Sequence, residues 1–248
     1  MSNGNERFNN DALTWDTQPD VLRATKLAHP AYLSRLPGPE ILSTYDVLEI
    51  GCGTGILSLL IAPSVRSLTA VDAAEGMISV FKTKLAATEP KVKNILPVNA
   101  LLENPSDPRI QIDPLTRTLT REPIPEGGEG RRFDLVISHL VLHHIPDLSA
   151  LFNTIHGCLK PGGTVMVTDY EDFGPEARRF HPESRMAGVQ RHGIKRTEIQ
   201  QWLERAGFTY VKVETAFTME KMVETEPGNG KMEKQMEFPF LVCWGVKP

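Results

Sequence analysis

Cysteine is scarce in this chain: there are three in 248 residues, at positions 52, 158 and 243, far apart and with no Cys-x-x-Cys pair. That excludes a disulfide framework and fits a reducing compartment, so a cytoplasmic or nuclear protein is expected. No uncharged apolar run approaches the roughly 18 residues of a membrane span. The first ten residues also lack the apolar core of a secretory signal. Neither charge sign dominates, since 27 basic residues face 31 acidic ones for a formal charge of -4. Without a basic excess or a dense Lys/Arg stripe, a protein that grips nucleic acid through its phosphates is disfavoured. No internal repeat at solenoid or propeller period is present. A content of 40% hydrophobic and 23% charged residues sets aside disordered and collagen-like readings. The length then suffices for one α/β domain with a continuous core.

What is present is an alternation of short apolar runs with amphipathic stretches, which implies parallel strands joined by crossover helices. Strands are expected at 47–50, 67–71, 95–98, 133–138 and 164–168, with helices at 56–62, 75–87 and 148–159. The third of these helices ends at Lys160-Pro161-Gly162-Gly163, a cation followed by a proline and glycine stop. A helix over 195–206 stopped by Gly207 leads to two closing strands at 210–215 and 240–246, separated by a polar turn near Pro227-Gly228-Asn229-Gly230. The stretch 11–36 reads as one or two helices before the sheet. Residues 103–132, rich in Pro, Gly and charge, are longer than an ordinary connection and read as a surface excursion. Residues 169–193 follow the fifth strand and are positioned to cover a ligand pocket, because open α/β sheets bind ligands beyond the carboxyl ends of their strands.

The octapeptide Leu48-Glu49-Ile50-Gly51-Cys52-Gly53-Thr54-Gly55 is the most informative. Closely spaced glycines after a strand let the backbone turn sharply and approach a ligand with no Cβ in the way. The helix that follows offers free N–H groups and a positive dipole end. Asp72 closes the second strand, where a carboxylate can accept from both ribose hydroxyls. An adenosine-bearing cofactor follows from that spacing. The dinucleotide pattern G-x-G-x-x-G would need glycine at position 56, which is Ile56 here. Glu49 would repel a pyrophosphate but favour the ammonium of a methionine tail, a sign argument that points away from NAD.

The ordered motifs are 47–55, Val71-Asp72, Asn99-Ala100-Leu101, Phe133-Asp134-Leu135-Val136-Ile137-Ser138, Leu142-His143-His144-Ile145-Pro146-Asp147 and Leu159-Lys160-Pro161-Gly162-Gly163. Through them the chain resembles the class I S-adenosylmethionine-dependent methyltransferases, in particular the small ubiquinone/menaquinone-biosynthesis-like group. The match covers roughly 45–170 and is extended by Ala206-Gly207-Phe208. The resemblance implies a Rossmann-like, doubly wound seven-stranded sheet, mostly parallel with the last strand antiparallel. It also implies S-adenosyl-L-methionine as cofactor and S-adenosyl-L-homocysteine as product. Glu49 would hold the methionine amine, and Gly51, Cys52 and Gly53 would pass their backbone around methionine and ribose. Asp72 would bind the ribose, Ala73 and Met77 would pack on adenine, and Asn99, Ala100 and Leu101 would meet its edge. The family often carries Asp where this chain has Asn99. Ser138 and His139 would supply backbone near the sulfonium, and Thr14-Trp15-Asp16 resembles an N-terminal helix that closes over the cofactor. On this reading 1–44 form a helical lid, 45–170 a cofactor-binding core interrupted by the 103–132 insertion, and 171–248 a substrate cover with the closing strands, all one domain.

The expected reaction is an in-line displacement in which an acceptor atom attacks the sulfonium methyl. Positioning dominates such a step. A hydroxyl or acidic carbon would also want a base, and the candidates in order are His144, His143 and His192. For the first two a scaffold role is placed ahead. For His181 and His192, in the cover segment, capping and substrate recognition weigh equally. Adjacent His143 and His144 are expected to project in different directions, which argues against a metal site. Cys52 and Trp15 read as packing residues, and the methionines at 219, 222, 232 and 236, lacking a helical stripe, as loop and strand edge. A small organic acceptor is favoured. The alternatives are a protein or nucleic-acid methyltransferase, though no Asn-Pro-Pro-Tyr signature or basic patch appears, and a cofactor-binding regulatory subunit partnered through 103–132.

Overall fold

The computed structural model describes residues 3–118 and 130–248. Its centre is a seven-stranded sheet in the order β3-β2-β1-β4-β5-β7-β6. The strands are β1 (Asp46–Ile50), β2 (Ser67–Asp72), β3 (Ile95–Asn99), β4 (Phe133–His139), β5 (Leu159–Tyr170), β6 (Thr209–Glu224) and β7 (Met232–Val246). The first five pair in parallel, and β7 runs antiparallel to both β5 and β6. This is the doubly wound sheet with a reversed last strand that the sequence led us to expect.

Consecutive residues of each central strand go to opposite sides, as the period of two requires. Leu48, Val136 and Val165 enter a core with Phe152 and Ile155 of helix α6 (Leu148–Cys158) and Leu203 of α7 (Arg196–Arg205). Val47, Leu135 and Met166 enter a second core with Tyr32 of α2 (Pro19–Leu33), Ile61 of α4 (Ile56–Ile61) and Phe81 of α5 (Glu75–Ala87). Both faces of the sheet are therefore helix-covered, and ligand access is left to the carboxyl ends of the strands. The strand order reverses at β1, whose neighbours are β2 and β4, and this opens a crevice beyond Ile50 and His139.

Within the segment read as helical, α1 (Asn3–Asp11) runs into a 3-10 turn at Ala12–Thr17, and a short helix α3 (Pro39–Leu42) precedes β1. Two features depart from the sequence reading. The methionine-rich tail is strand rather than loop. β6 and β7 form a long hairpin, and Met219 is buried with Val223, Tyr170, Phe180, Phe238 and Phe240. Its turn does fall at 225–231. The excursion at 103–132 is pinned at its described ends, while residues 119–129 lie outside the described residues. Ile110 is fully buried, and the Arg131 guanidinium reaches Asp46 and Ser67 beneath the sheet. Arg66 pairs with both Asp46 and Asp113, which ties the excursion to the amino ends of β1 and β2. Among the described residues no helix is long and apolar enough to cross a membrane.

Candidate functional site

β1 ends at Ile50 and the chain turns through residues 51–55 into α4. The N–H groups of Gly51 and Cys52 both donate to the Val71 carbonyl, at 2.8 and 3.0 Å, which fastens the turn to the end of β2. Gly55 caps α4 at φ +81°, and a Cβ there would lie 2.1 Å from the Phe81 ring. Only glycine lets the helix start at this point. Asp72 ends β2 beside the turn. One of its oxygens accepts the Gly53 N–H and the other the Ala74 N–H, each at 2.8 Å. Each oxygen keeps an unused lone pair. Ala74, not Asp72, is the N-cap of α5. Burial pushes the Asp72 carboxyl up, opposed by its two backbone donors.

Glu49 lies under the turn, 2% exposed, and accepts from the Ser58 hydroxyl at 2.5 Å. Burial pushes its carboxyl up to about 8; the Ser58 bond opposes this and the neighbouring Asp72 adds to it. Burial also raises the Cys52 thiol, whose side chain packs into the core on the α4 side of the sheet. The Asn99 amide nitrogen donates to the Asp72 carbonyl at 3.0 Å, and so does the Ala100 N–H at 2.9 Å. Met77 is buried beside Ala74, and Leu101 is 59% exposed. Ser138 is buried: its carbonyl accepts from Tyr32 Oη at 2.6 Å, while its hydroxyl donates to the Ile50 carbonyl at 2.9 Å. His139 shares a 2.7 Å bond with Thr168, and burial lowers it to about 4. These residues line the carboxyl ends of β1 to β4.

The segment Ala12–Thr17 lies across the glycine turn. Trp15 packs with Phe8, Ala12, Ala74, Met77 and Val80, and its indole nitrogen stands 3.7 Å from where a Cβ on Gly53 would be. The Asp16 carboxylate accepts from Thr54 of the turn and pairs with Lys84 of α5.

Trp15 also lines a cavity of about 520 Å³ that is bounded by α1, the start of α2, the residues after β4 and the cover segment. The volume suits a small organic molecule. Two of the three candidate bases form its wall. His143 and His144 sit in a 3-10 turn (Leu142–His144), and their ring centroids are 3.9 Å apart. The expectation that adjacent histidines diverge is therefore overturned. Asp169 anchors the His143 ring and the Gly188 carbonyl anchors His144 at Nδ1, 2.9 Å away, drawing both rings to one side. His192, the third candidate, precedes α7 and does not line the cavity. His181 stands there instead, 5.0 Å from His143 and 5.8 Å from His144 between centroids. Burial holds His144 and His181 well below the ordinary histidine value, and the neighbouring His143 adds to both shifts.

The sequence reading missed Asp169. The expected fifth strand stopped at Thr168, yet β5 continues through Asp169 and Tyr170, paired with Leu241 and Phe240 of β7. A polar residue at the carboxyl end of a central strand is the signal that would have marked it. Leu140 was also missed. It lines the cavity at φ +57°, a strained conformation of the kind that clusters at functional sites.

The sheet order, the glycine turn at its switch point and the carboxylate ending β2 together define an α/β domain of the nucleotide-binding kind. The model of the methyltransferase domain family matches residues 22–213, and the chain belongs to that family. It is 28% identical over 167 residues to the malonyl-[acyl-carrier protein] O-methyltransferase of Priestia megaterium, covering 66% of this chain and 50% of the relative. It is 25% identical over 217 residues to the ubiquinone biosynthesis O-methyltransferase of Coxiella burnetii, covering 84% and 82%. A solved SAM-dependent methyltransferase from Thermotoga maritima superposes with a TM-score of 0.60 at 16% identity, over 97% of this chain and 98% of that one, and shares the fold. The chain spans about half the length of several of the curated relatives it matches.

Proposed function

We propose that the chain is an S-adenosylmethionine-dependent methyltransferase acting on a small organic acceptor held in the cavity beside His143 and His144. The observation that carries this reading is the continuity of the two sites. The Trp15 indole nitrogen lies 3.7 Å from where a Cβ on Gly53 would stand, and the same residue lines the cavity, so a cofactor on the turn and an acceptor in the cavity would meet beneath it.

The residues fit the cofactor. Among the described residues no cation pairs with the buried Glu49 carboxyl, and its raised proton affinity is what an arriving ammonium would reverse. Asp72 has one free lone pair on each oxygen for the two ribose hydroxyls. Gly51, Cys52 and Gly53 would line the methionine and ribose, and Ala73, Met77, Asn99, Ala100 and Leu101 the adenine. The backbone of Ser138 and His139 would face the sulfur. Bound there, S-adenosylmethionine would supply an electrophilic methyl group on a sulfonium.

The chain's own part is to orient the acceptor, exclude water and handle a proton. Phe8 stands edge-on against His144 at 5.1 Å and Trp15 at 5.6 Å from Phe8, an aromatic wall on the water side. For an acceptor with a hydrogen to lose, His143 is better placed than His144. Its Nδ1 faces Asp169 and its Nε2 is left without a partner. His144, held neutral by burial, would accept a hydrogen bond without taking the proton. We place His192 outside the chemistry.

Calorimetry tests the cofactor: S-adenosylmethionine should bind one to one and NAD should not. NAD binding without S-adenosylmethionine binding would overturn the reading. Screening small thiols, phenols, amines and carboxylic acids with a labelled methyl donor should then find turnover, whereas turnover on peptides or RNA alone would refute the acceptor class.

A further inference from the structure

The geometry points to a divalent-cation site of the Zn(II) class formed by His143, His144 and His181, with one open position facing the cavity. Each ring offers one nitrogen, and these three atoms lie within 4.8 Å of one another. The hydrogen bonds decide which nitrogens are available. Asp169 takes the Nδ1 proton of His143, so the lone pair is on Nε2. The Gly188 carbonyl can only accept, so it likewise takes the Nδ1 proton of His144 and leaves the Nε2 lone pair free. His143 Nε2 and His181 Nδ1 are buried and meet no hydrogen-bond partner among the described residues. Buried polar atoms are ordinarily paired, and one cation would satisfy these lone pairs together.

The surroundings resemble support for a metal more than support for an empty wall. A carboxylate behind a ligating histidine fixes its tautomer and raises its basicity. Asp169 does this for His143 and is itself held by the N–H groups of His143 and Tyr170, at 3.0 and 2.9 Å. Three imidazoles without carboxylate ligands select first-row ions such as Zn(II) or Co(II) over Mg(II) or Ca(II). Three protein ligands with a fourth position open is the pattern of a reactive site rather than a structural one.

With metal–nitrogen bonds of about 2.0–2.1 Å, tetrahedral ligands stand roughly 3.3 Å apart. The rings must therefore draw in by roughly 1 Å or more. His181 can do so because it hangs on the cover, just past the 3-10 turn Pro175–Phe180. Loading would pull the cover onto the cavity. The cation would occupy the His143 Nε2 that otherwise takes the proton, and would ionise the acceptor by coordination instead, its proton leaving to solvent through the cavity mouth. That role, unlike the binding itself, rests on the cavity being the acceptor site, and it favours acceptors with a thiol or hydroxyl.

The test uses the full chain without a polyhistidine tag, titrated with Co(II). One equivalent should develop the intense visible d–d absorption of a four-coordinate site, and Zn(II) should displace it. His181→Ala and His144→Ala should weaken binding at least 100-fold, and Asp169→Asn 10- to 100-fold. His156→Ala, on α6, should bind as the native chain does. His181 lies on the cover, so its variant should fold, which circular dichroism will check. Absence of the band at stoichiometric Co(II), or its persistence in folded His181→Ala, would overturn the inference. S-adenosylmethionine affinity measured on the same samples keeps the two readings apart. Cofactor binding without metal removes only the metal site, and metal binding without cofactor removes the methyltransferase reading.

Discussion

Asp169 holds His143 through three contacts. Its two carboxylate oxygens lie 2.8 and 2.9 Å from Nδ1, and one of them also accepts the His143 backbone N–H at 3.0 Å. Both side chains are sealed from solvent. The arrangement fixes the ring's rotation and its tautomer, and it leaves Nε2 without a hydrogen-bond partner in a ring that forms part of the cavity wall.

Asp169→Asn preserves volume but lets the side chain donate an amide N–H to Nδ1, which favours the wrong tautomer. Turnover is expected to fall at least tenfold with S-adenosylmethionine affinity unchanged within about threefold. Long-range nitrogen–proton NMR should show His143 protonated at Nδ1 in the native chain and redistributed in the variant. An unchanged tautomer with full turnover would remove Asp169 as a positioning residue.

Two glycines of the turn should fail differently. At Gly55 a methyl group would sit 2.1 Å from the Phe81 ring at φ +81°, so Gly55→Ala combines backbone strain with overpacking. A loss of about 2–6 kcal/mol follows from those two effects. At Gly53 a methyl group meets nothing nearer than Trp15 at 3.7 Å, and only the strain of φ +53° remains. Gly53→Ala should lower the melting temperature much less, and its cost should appear as cofactor affinity lost at least tenfold. Equal melting losses with equal affinities would show that the turn holds no ligand.

Where sequence succeeded and where it failed has a physical pattern. Helix α5 was read at its observed bounds, because Met77, Ile78 and Phe81 recur at helical spacing between a turn and Thr88. The outer half of the β6–β7 hairpin was not read, because Glu220, Glu233 and Lys234 are exposed while the inward position between Met219 and Val223 is taken by the charged Lys221, so hydrophobicity does not alternate. Asp169 and His181 were legible as residues but not as partners. The distance of 26 residues from His143 to Asp169 is closed by strand pairing, and the longer one to His181 by the folded cover. The residues proposed to hold the cofactor, by contrast, lie in local motifs whose backbone geometry the sequence itself sets, as at Gly55.

Glu49 gives a pH prediction with a definite sign. Unfolded, its carboxyl titrates near 4.5, whereas in the folded chain it holds its proton up to about 8. The folded state therefore binds more protons across that window, so this group's contribution to stability falls as pH rises from 4.5 to 8 and levels off above. In Glu49→Gln that decline should be absent, so the variant should gain melting temperature relative to the native chain as pH rises. An ammonium arriving beside Glu49 would restore ionisation, so cofactor binding at pH 7 should release close to one proton. Calorimetry in buffers of different ionisation enthalpy reads this directly. Release equal in the native chain and in Glu49→Gln would show that the carboxylate does not face the methionine amine.

Asp16 ties the N-terminal segment to the glycine turn through Thr54 and to α5 through Lys84, on both flanks of the proposed cofactor crevice. The Asn9 side chain adds a bond from the Gly76 N–H at 2.7 Å. A cofactor seated on the turn would lie under Trp15, so this segment must open for exchange and close for reaction. The Asp16 side chain is 36% exposed, which discounts its ion pair and leaves about 0.5–1.5 kcal/mol for closure. Asp16→Ala should therefore release S-adenosylmethionine about two- to tenfold faster, a range set by that energy. Trp15→Ala should do the same by removing the packing on Met77. Stopped-flow association and dissociation rates distinguish the cases. Faster release alone marks a lid that holds the cofactor, whereas equal acceleration of both rates marks a gate that makes no contact with it. Rates unchanged in both variants would mean that the segment does not move, and that the cofactor reaches the turn by another path.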